Sequence, residues 1–294
     1  MIFTVRMIQN NEYREARAVW DACFPEDRGG FSRFYFKHRT NPACVLGAFD
    51  ERGSMMGALH MTPYPLYFYG IVKPCAMIAG VGTLPSCRHM GVAAAMINRA
   101  HELLAARGVC AALLKPDVDF YRQFGYEPFA YHMNYCLCSE DLANVTPARL
   151  IPPKPSMMLD IYEQFRQGYN GMMARDRRYM KLAIMERSAY AGLAYMSKRA
   201  YALGWMDEDG RAVVTELVGE ELPAMLAALA KTYGEVSFCL PQGYHLGMDG
   251  IDGKLEFFNM IRVLDEKALL NRLPVGGLTE LFGGEHAIFS LEYY

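Results

Sequence analysis

The stretch Ala79-Gly-Val-Gly-Thr-Leu-Pro-Ser-Cys-Arg-His-Met-Gly-Val-Ala-Ala-Ala-Met96 decides how this chain is interpreted. A run of small and apolar residues stops at Pro85, and Arg88 and Gly91 precede a helix-forming run. The pattern predicts a strand, a turn and a helix that begins at Gly91. The first amides of a helix lack internal partners and carry the positive end of its dipole. Because Gly91 has no Cβ and Arg88 adds positive charge, the turn predicts a phosphate or pyrophosphate site.

The glycine pattern separates the kinds of anion site that a strand, a turn and a helix can form. A P-loop needs a Gly-Lys-Ser/Thr sequence, which is absent from this turn. A dinucleotide-binding turn needs Gly-x-Gly-x-x-Gly, and the glycines at 80, 82 and 91 do not have that spacing. A pyrophosphate cradle of the Arg-x-x-Gly-x-Ala type remains, from Arg88 to Ala93. The alternative is an ordinary strand–helix turn with a surface arginine.

The composition limits the class of protein. The 294 residues suit two domains, and 52% hydrophobic against 21% charged residues indicates a large folded core. A net charge of −2 argues against a nucleic-acid partner, because nucleic-acid binders carry a basic excess. The 8 cysteines are scattered without zinc-ligand spacing, which indicates reduced thiols. The sequence has neither a leader nor a membrane-spanning apolar run, so we expect a cytoplasmic protein with no membrane partner.

The periodicity predicts two similar halves joined by a linker. In the first half a hairpin turns at Asp50-Glu-Arg-Gly53, and a helix from Val92 to Ala106 is followed by Gly108. Four prolines between Pro147 and Pro155 mark the linker. A similar order of elements follows the linker, which indicates an internal duplication. The second copy has Val218-Gly-Glu-Glu-Leu-Pro223 in place of the basic turn, so we expect no phosphate site there.

Less regular segments join these elements. We expect Tyr67 to Tyr69 and Lys73 to Gly82 to continue the sheet of the first half. Tyr126 to Cys138 is expected to form two extended segments. After the second half, a strand from Leu255 to Leu264 and a helix from Glu266 to Arg272 precede the end of the chain.

An aromatic turn follows the strand that comes after the glycine-led helix. It reads Phe120-Tyr-Arg-Gln-Phe-Gly-Tyr126. Ligands gather at strand ends of open α/β sheets, and a tyrosine there can donate a proton to a departing thiolate. We expect Phe120 and Phe124 to pack in the core. For Tyr121, core packing and a role as proton donor stay open on the residues alone.

The chain ends in an apolar, aromatic run, Phe289-Ser-Leu-Glu-Tyr-Tyr294. Most chain ends fray, whereas this composition favours burial. A buried terminal carboxylate could serve as a general base, and the alternative is an edge strand that ends near the surface. The histidines show no metal-ligand spacing, so no metal is expected, and His89 alone is expected to touch a phosphate.

Val81 to Ala93, followed by a helix, a strand and the Phe120–Tyr126 turn, closely resembles the GNAT acetyltransferase superfamily. The resemblance implies that the strand before the turn bonds the pantetheine arm and the thioester of acetyl-CoA. It also implies Tyr121 as general acid and the α-carboxylate of Tyr294 as general base. The residues that the resemblance places on acetyl-CoA are Val81, Gly82, Thr83, Arg88, His89, Met90, Gly91, Val92 and Ala93.

Motifs of the second half and of the tail are similar to the Eis-type (enhanced intracellular survival) branch of that superfamily. They include Ile161-Tyr-Glu-Gln-Phe-Arg166, Met260-Ile-Arg-Val-Leu-Asp265 and the terminal Tyr293-Tyr294. The branch implies an α/β fold of tandem GNAT units, each a mixed β-sheet flanked by helices, and a C-terminal α/β remnant. Residues 1–145 would form the catalytic domain, 146–243 a degenerate second domain, and 244–294 a shortened sterol-carrier-like tail that ends in the active site.

The resemblance implies direct transfer of an acetyl group from acetyl-CoA to a primary amine. Glu26, Asp27 and Glu292 would contribute to an acidic acceptor pocket, but aminoglycosides, polyamines, other small amines and protein lysines all stay open. The alternative is a non-catalytic sensor of acyl-CoA on the same scaffold. A lipid carrier is disfavoured because the tail is short, and the apolar tail favours a homo-oligomer.

Overall fold

The computed structural model describes residues 2–27, 30–115, 118–248, 250–284 and 286–291. Helices and strands of these ranges are numbered in chain order. The strands are β1 (Phe3–Met7), β2 (Val45–Asp50), β3 (Met55–Pro63), β4 (Leu66–Phe68), β5 (Ile71–Lys73), β6 (Cys75–Thr83), β7 (Ala111–Leu114), β8 (Glu127–Cys138), β9 (Leu193–Met196), β10 (Ala200–Met206), β11 (Ala212–Gly219), β12 (Glu235–Pro241) and β13 (Lys254–Val263). The helices are α1 (Tyr13–Cys23), α2 (Phe31–His38), α3 (Val92–Ala106), α4 (Val118–Tyr121), α5 (Pro155–Phe165), α6 (Arg177–Ala189), α7 (Leu222–Tyr233), α8 (Glu266–Leu270) and α9 (Leu278–Gly283).

One mixed sheet runs through both halves of the molecule. In the described residues its strand order is β1-β2-β3-β6-β7-β13-β8-β12-β11-β10-β9. Neighbouring strands are antiparallel except for the pairs β6–β7 and β11–β12. The predicted α/β class, with mixed sheets flanked by helices, is confirmed.

Alternation along the hairpin strands gives the first half two cores. Val45, Phe49 and Ala58 pack against α1 and α2, while Leu46 and Leu59 point to the opposite face and pack against α3. Successive side chains of a strand point to opposite faces, so both faces of the sheet are buried. The predicted hairpin and the predicted helix at 92–106 are both confirmed.

The strand β6 leaves its parallel neighbour after a short contact. Only Cys75, Ala76 and Met77 pair with β7, although β6 continues along β3 to Thr83. The two strands therefore diverge at the point where ligands collect in open α/β sheets. This divergence positions the candidate site described below.

One of the two segments predicted to continue the main sheet departs from its prediction. Residues 75–82 of the range Lys73–Gly82 do so as β6, but Tyr67 and Phe68 lie on β4, which forms a separate two-stranded ribbon with β5. Tyr67 on this ribbon exchanges backbone hydrogen bonds with the second half, to Met172 and from Gly171, both at 2.8 Å. The ribbon thus joins the two halves instead of widening the sheet.

The tail closes the sheet of the first half. β13 inserts between β7 and β8 and is antiparallel to both. β8 is one continuous strand and not the two extended segments expected, since residues 127–134 pair with β13 while residues 132–138 pair with β12. Backbone hydrogen bonds therefore cross from the first half to the tail and to the second half.

The second half repeats the strand–turn–helix unit of the first. β11 pairs in parallel with β12 over three residue pairs, and α7 follows β11 as α3 follows β6. Glu221 precedes α7 with a φ of 57°, and Gly91 precedes α3 with a φ of 78°. Arg199 pairs with both Glu220 and Glu221. Acidic side chains therefore lie at the turn where the first half presents amides and an arginine.

Three buried histidines predict loss of stability in mild acid. Burial lowers the pKa of His60 to about 3, of His101 to about 4 and of His132 to about 4. The unfolded chain, with histidine pKa values near 6.5, binds protons that the folded chain excludes, so stability falls as pH drops below about 6.5 toward 4. Each histidine contributes up to about 1.4 kcal/mol per pH unit within this window.

Urea unfolding at pH 7 and pH 5 measures this effect. The slope of the unfolding free energy with pH gives the number of protons that the chain takes up on unfolding. His60→Gln should lower this number by up to one, whereas His245→Gln, at an exposed position, should leave it unchanged. Equal stability of the native chain at both pH values would contradict the prediction.

Candidate active site

A cavity of about 760 Å³ lies where β6 and β7 diverge, between the two halves of the molecule. The first half contributes residues 78–81 of β6, the end of β7 and Tyr121 to its wall. The second half contributes side chains of α6 and β10, among them Tyr179 and Trp205. Leu291, close to the end of the chain, also lines it. Residues of the first half, of the second half and of the tail therefore meet at one cavity.

A bulge in β6 shapes the cavity wall. Ala58 pairs with Gly82 and His60 pairs with Ala79, so two residues of β6 lie opposite one residue of β3. Gly80, in the bulge, has a φ of 55°, and a Cβ there would lie 2.0 Å from the ring of Trp20. Only glycine fits both this backbone and the packed indole. The sequence contains Gly80, but its pairing with Trp20 is a tertiary contact that no local pattern signals.

The predicted cradle forms at the end of the same strand. Pro85–Cys87 makes one helical turn, His89 and Gly91 have φ values of 64° and 78°, and α3 follows. The amide of Ala95 bonds the carbonyl of Gly91 at 3.0 Å, so the amides before it have no acceptor within the helix. A Cβ on Gly91 would meet no atom within 4 Å, which leaves the approach to these amides open.

Charge at the cradle is positive. Arg88 is exposed and makes no ion pair among the residues that the structure describes. It lies close enough to Cys23 for its charge to oppose the rise that burial gives the pKa of that thiol. His89 and Met90 are exposed beside Arg88, whereas Val92 is buried under the first turn of α3. A guanidinium beside open helix amides is chemically suited to an anion.

The strand before the cradle carries an unsatisfied polar atom. The hydroxyl oxygen of Thr83 is buried without a hydrogen-bond partner among the described residues. Gly82 packs on Cys23, where a Cβ would lie 3.1 Å from the sulfur. Val81 lines the cavity, while Gly82 and Thr83 lie between it and the cradle. A buried hydroxyl usually has a partner, and a ligand that runs from cavity to cradle would supply one.

Tyr121 lies on the cavity wall at the end of α4. Its ring packs at 5.0 Å from that of Phe120 and at 5.9 Å from that of Tyr126. Phe124 is 7% exposed and belongs to the core, and Phe120 packs against the same core, as predicted. The aromatic turn thus fixes Tyr121 from behind while its other face borders the cavity.

The end of the chain is held inside the protein as far as it is described. Phe289 and Ser290 are fully buried and Leu291 is 3% exposed. The amide of Phe289 bonds the carbonyl of Asn170 at 2.9 Å, and the amide of Asn170 bonds Ala287 at 3.0 Å. Tyr294, the predicted general base, lies outside the described residues, three positions after a residue that lines the cavity.

A buried polar cluster, here called the tail anchor, fixes Ser290. It consists of Tyr64, His132, Asn259 and Ser290. The Nε2 of His132 donates to the carbonyl of Ser290 at 2.6 Å, and the amide nitrogen of Asn259 donates to the Ser290 hydroxyl at 3.1 Å. Burial keeps His132 neutral near pH 7, so it donates without a charge. A neutral buried donor stabilises the carbonyl without the desolvation cost of an ion.

Two acids of the first half border the cavity, as the sequence suggested. Glu26 and Asp27 both line it, and the indole nitrogen of Trp20 donates to Asp27 at 3.0 Å. Burial raises the pKa of Asp27 above its usual range, against the opposing effects of the Trp20 hydrogen bond and of the Lys115 charge. Glu292, the third acid proposed from the sequence, lies outside the described residues.

Buried ion pairs of the second half were not predicted. Arg39, from the first half, bonds Glu186 at 2.7 Å across the interface, and Arg187 lies 3.4 Å from the same carboxylate. Arg175 donates two hydrogen bonds, of 2.6 and 3.0 Å, to the carboxylate of Glu216. Burial by itself raises the pKa of Glu216, but Arg175 and other neighbours outweigh it and hold that pKa below its usual range.

Two structural findings bear on partners. The described histidine, cysteine and carboxylate side chains form no group suited to a metal ion. Within the described ranges, every helix is too short or too polar for a passage through a lipid bilayer.

Residues 4–129 match the family model described as an acetyltransferase (GNAT) domain. None of the curated proteins matches the chain in sequence. The matched range contains the diverging strands, the cradle and Tyr121. The match therefore falls on the part of the molecule in which open helix amides and Arg88 follow a strand that lines the cavity.

Solved structures of similar fold extend over most of the chain. A GCN5-related N-acetyltransferase from Kribbella flavida has a TM-score of 0.73 at 19% identity, covering 92% of this chain and 73% of that one. A probable N-acyltransferase of unknown function from Enterococcus faecalis has a TM-score of 0.77 at 18% identity, covering 93% and 76%. Eis1 from Mycobacterium abscessus has a TM-score of 0.69 at 19% identity, covering 90% and 74%.

At these identities the likeness shows a shared fold. The family match itself covers residues 4–129. The chain therefore shares the fold of the GCN5-related N-acetyltransferases, and open helix amides lie at the end of its diverging strand.

Gly80→Ala tests the bulge. A methyl group in the left-handed region costs about 1 kcal/mol or more, and its clash with Trp20 adds about 1–3 kcal/mol. We expect the free energy of unfolding to fall by about 3 kcal/mol, measured in urea. Gly70→Ala is the matched control, because Gly70 has a φ of 75° but open space around its Cβ position, and it should lose only about 1 kcal/mol. Equal losses in both variants would show that the Trp20 contact adds nothing.

Proposed function

We propose that this protein is an acetyl-CoA-dependent N-acetyltransferase that transfers the acetyl group directly to a primary amine. One observation carries the proposal: Val81, Tyr121 and Leu291 border the same cavity, and β6 leads from it to the turn before α3. A donor with a thioester at one end and a pyrophosphate at the other matches this path.

The residues present fit acetyl-CoA. Its pyrophosphate would bind the open amides of the first turn of α3 and the guanidinium of Arg88, with His89 and Met90 beside them. The pantetheine arm would run along β6, where residues beyond Met77 have no strand partner on the β7 side. The buried hydroxyl of Thr83 would form a hydrogen bond with that arm. The thioester would then lie beside Val81, at the cavity.

Two groups of the chain would supply the two proton transfers that the reaction needs. A primary amine must lose a proton before it attacks the thioester carbonyl, and the α-carboxylate of Tyr294 would accept it, directly or through water. Backbone amides near Val81 would stabilise the negative charge that develops on the carbonyl oxygen. Tyr121 would give its proton to the sulfur as the bond between sulfur and the acetyl carbon breaks.

The tail anchor supports the assignment of Tyr294. It fixes Ser290 by two hydrogen bonds from side chains of the sheet, and Leu291 already borders the cavity. Three further residues span at most about 10 Å, so the proposed base at Tyr294 would be within reach of the cavity.

The finer family assignment is also a proposal. We infer an Eis-like branch, with a catalytic domain of residues 1–145, a second GNAT-like domain of residues 146–243 and a tail of residues 244–294. The repeated strand–turn–helix unit and the fold shared with Eis1 support it. The acidic turn at Glu220 and Glu221 supports a single acetyl-CoA site per chain.

Arg88→Ala tests the cradle. The variant loses a charged hydrogen bond of about 1.5–3 kcal/mol, so the Kd for acetyl-CoA should rise roughly 10- to 100-fold in calorimetric titration. Arg99→Ala, on an exposed part of α3, is the matched control and should bind as the native chain does. An unchanged Kd for Arg88→Ala would place the pyrophosphate elsewhere.

Tyr121→Phe and deletion of residues 292–294 test the proton transfers. Each should lower kcat by about 100-fold or more, because general acid and general base catalysis each contribute at least that much, while the Kd for acetyl-CoA stays within about 2-fold. Release of the CoA thiol in the presence of a panel of primary amines gives the rate, and calorimetry gives the Kd.

Tyr126→Phe is the control for Tyr121→Phe, since Tyr126 is buried and bonds His101 at 2.9 Å. It should cost stability but leave kcat unchanged. Full activity of both Tyr121→Phe and the deletion would refute this mechanism. Acetyl-CoA binding without thiol release for any amine would favour the acyl-CoA sensor.

A further inference from the structure

We infer that the acceptor is a primary amine with one positive charge and an aromatic body, and not a polycation. The inference rests on the proposed function and adds the substrate class. It follows from two properties of the cavity, namely the aromatic side chains on its two walls and the balance of its charges.

The wall from the first half is aromatic beside the thioester position. Trp20 is 6% exposed, packs on Gly80, and has ring centroids 5.3 Å from Phe24 and 6.2 Å from Phe31. All three rings line the cavity. Flat rings on a wall bind a flat apolar group better than a flexible polar one, because aromatic pairs add about 0.5–1.5 kcal/mol to their burial.

The wall from the second half faces it with a second aromatic set, formed by Tyr179, Tyr190 and Trp205. The Tyr190 hydroxyl donates to the carbonyl of Gly30 in the first half, so the two walls are tied together. Trp205 is 40% exposed although it lines the cavity. An apolar ligand that covers Trp205 would remove this exposed aromatic surface from water.

The charges of the cavity are largely matched within the protein. Of the four carboxylates on its wall, Glu186 is paired with Arg39 and Arg187, and Glu216 is paired with Arg175. The other two, Glu26 and Asp27, lie together at one end of the cavity, which we call the acidic end. The positive charge of Lys115 acts on Asp27 there.

Among the described residues, two carboxylates and one ammonium leave a net charge of −1 at that end, while the pairing of Glu186 with two guanidiniums leaves +1 elsewhere on the wall. One cationic amine matches the charge of the acidic end. A polyamine or an aminoglycoside would bring several ammonium groups into an aromatic cavity without partners, which is costly.

The acidic end also lies where the reacting amine belongs. Asp27 is held by the indole nitrogen of Trp20, and the same indole packs on Gly80 of the bulge. An ammonium group drawn to Glu26 and Asp27 would therefore arrive beside the strand proposed to hold the thioester. The aromatic body would extend between the two walls toward Trp205.

Steady-state kinetics with three amines test the inference. 2-Phenylethylamine carries one charge and a ring, butylamine carries one charge without a ring, and spermidine carries three charges. We expect kcat/KM for 2-phenylethylamine to exceed that for each of the others by roughly 10-fold or more, from ring burial and aromatic contact. Higher kcat/KM for spermidine would overturn the inference while leaving the proposed acetyl transfer intact.

Trp205→Ala tests whether the preference for an aromatic amine comes from contact with Trp205. It should raise KM for 2-phenylethylamine by roughly 5- to 10-fold and leave butylamine unaffected, and Trp205→Phe should restore most of the loss. Met206→Ala is the control, because Met206 is 43% exposed on the same strand but does not line the cavity. An equal loss with both amines would show that Trp205 acts only through the fold.

Tryptophan fluorescence gives a readout that does not depend on turnover. The chain has 2 tryptophans, and both line this cavity. Titration of Trp20→Phe with each amine reports on Trp205 alone, and we expect 2-phenylethylamine to quench it at lower concentration than spermidine. If no amine causes release of the CoA thiol, the proposed acetyl transfer is wrong. Even then, tighter binding of spermidine than of 2-phenylethylamine in the fluorescence titration would refute the inference about the amine class.

Discussion

Among the residues that the structure describes, the backbone of β6 beyond Met77 has no strand partner on its β7 side, and the rest of the site depends on this separation. Unpaired backbone groups are costly when buried, so a divergence inside a sheet persists only where something else satisfies or exposes them. Here the bulge at Gly80 turns the strand, and Trp20 fills the space that a side chain would occupy. The same packing that holds the strand apart also places an aromatic wall on the cavity.

The two halves and the tail depend on one another through the sheet. β8 pairs with β13 along its first part and with β12 along its last part, so the strand of the tail lies at the centre of the eleven-stranded sheet, between β7 and β8 of the first half. Arg39 reaches across to Glu186, and both side chains are buried. A buried ion pair contributes little net stability but strongly disfavours separation of its partners. The cavity between the halves therefore has fixed walls.

Local patterns in the sequence were sufficient for the elements whose signals lie close together along the chain. The helix at Val92 follows a glycine-led turn and ends before Gly108, and both ends are where the pattern places them. The resemblance carried by the cradle and the aromatic turn agrees with the family match. The insertion of β13 beside β8 could not be foreseen, because strand pairing across more than a hundred residues leaves no local signal. For the same reason the ion pairs of Arg39 and Arg175 were missed.

The tail anchor shows how residues near the end of the chain are held against distant strands of the sheet. A free terminus loses conformational entropy when it is ordered, and each fixed residue costs about 1–2 kcal/mol of backbone entropy. Here burial and hydrogen bonds of the preceding residues offset that cost. Phe289 and Ser290 are fully buried, Phe289 bonds Asn170, and Ser290 accepts hydrogen bonds from His132 and Asn259. Only the last few residues then need to be ordered by the site itself. Because His132 belongs to the first half and Asn259 to the tail, the anchor forms only once β13 has joined the sheet. The pairing of β13 with β8 thus brings together the side chains that hold Ser290.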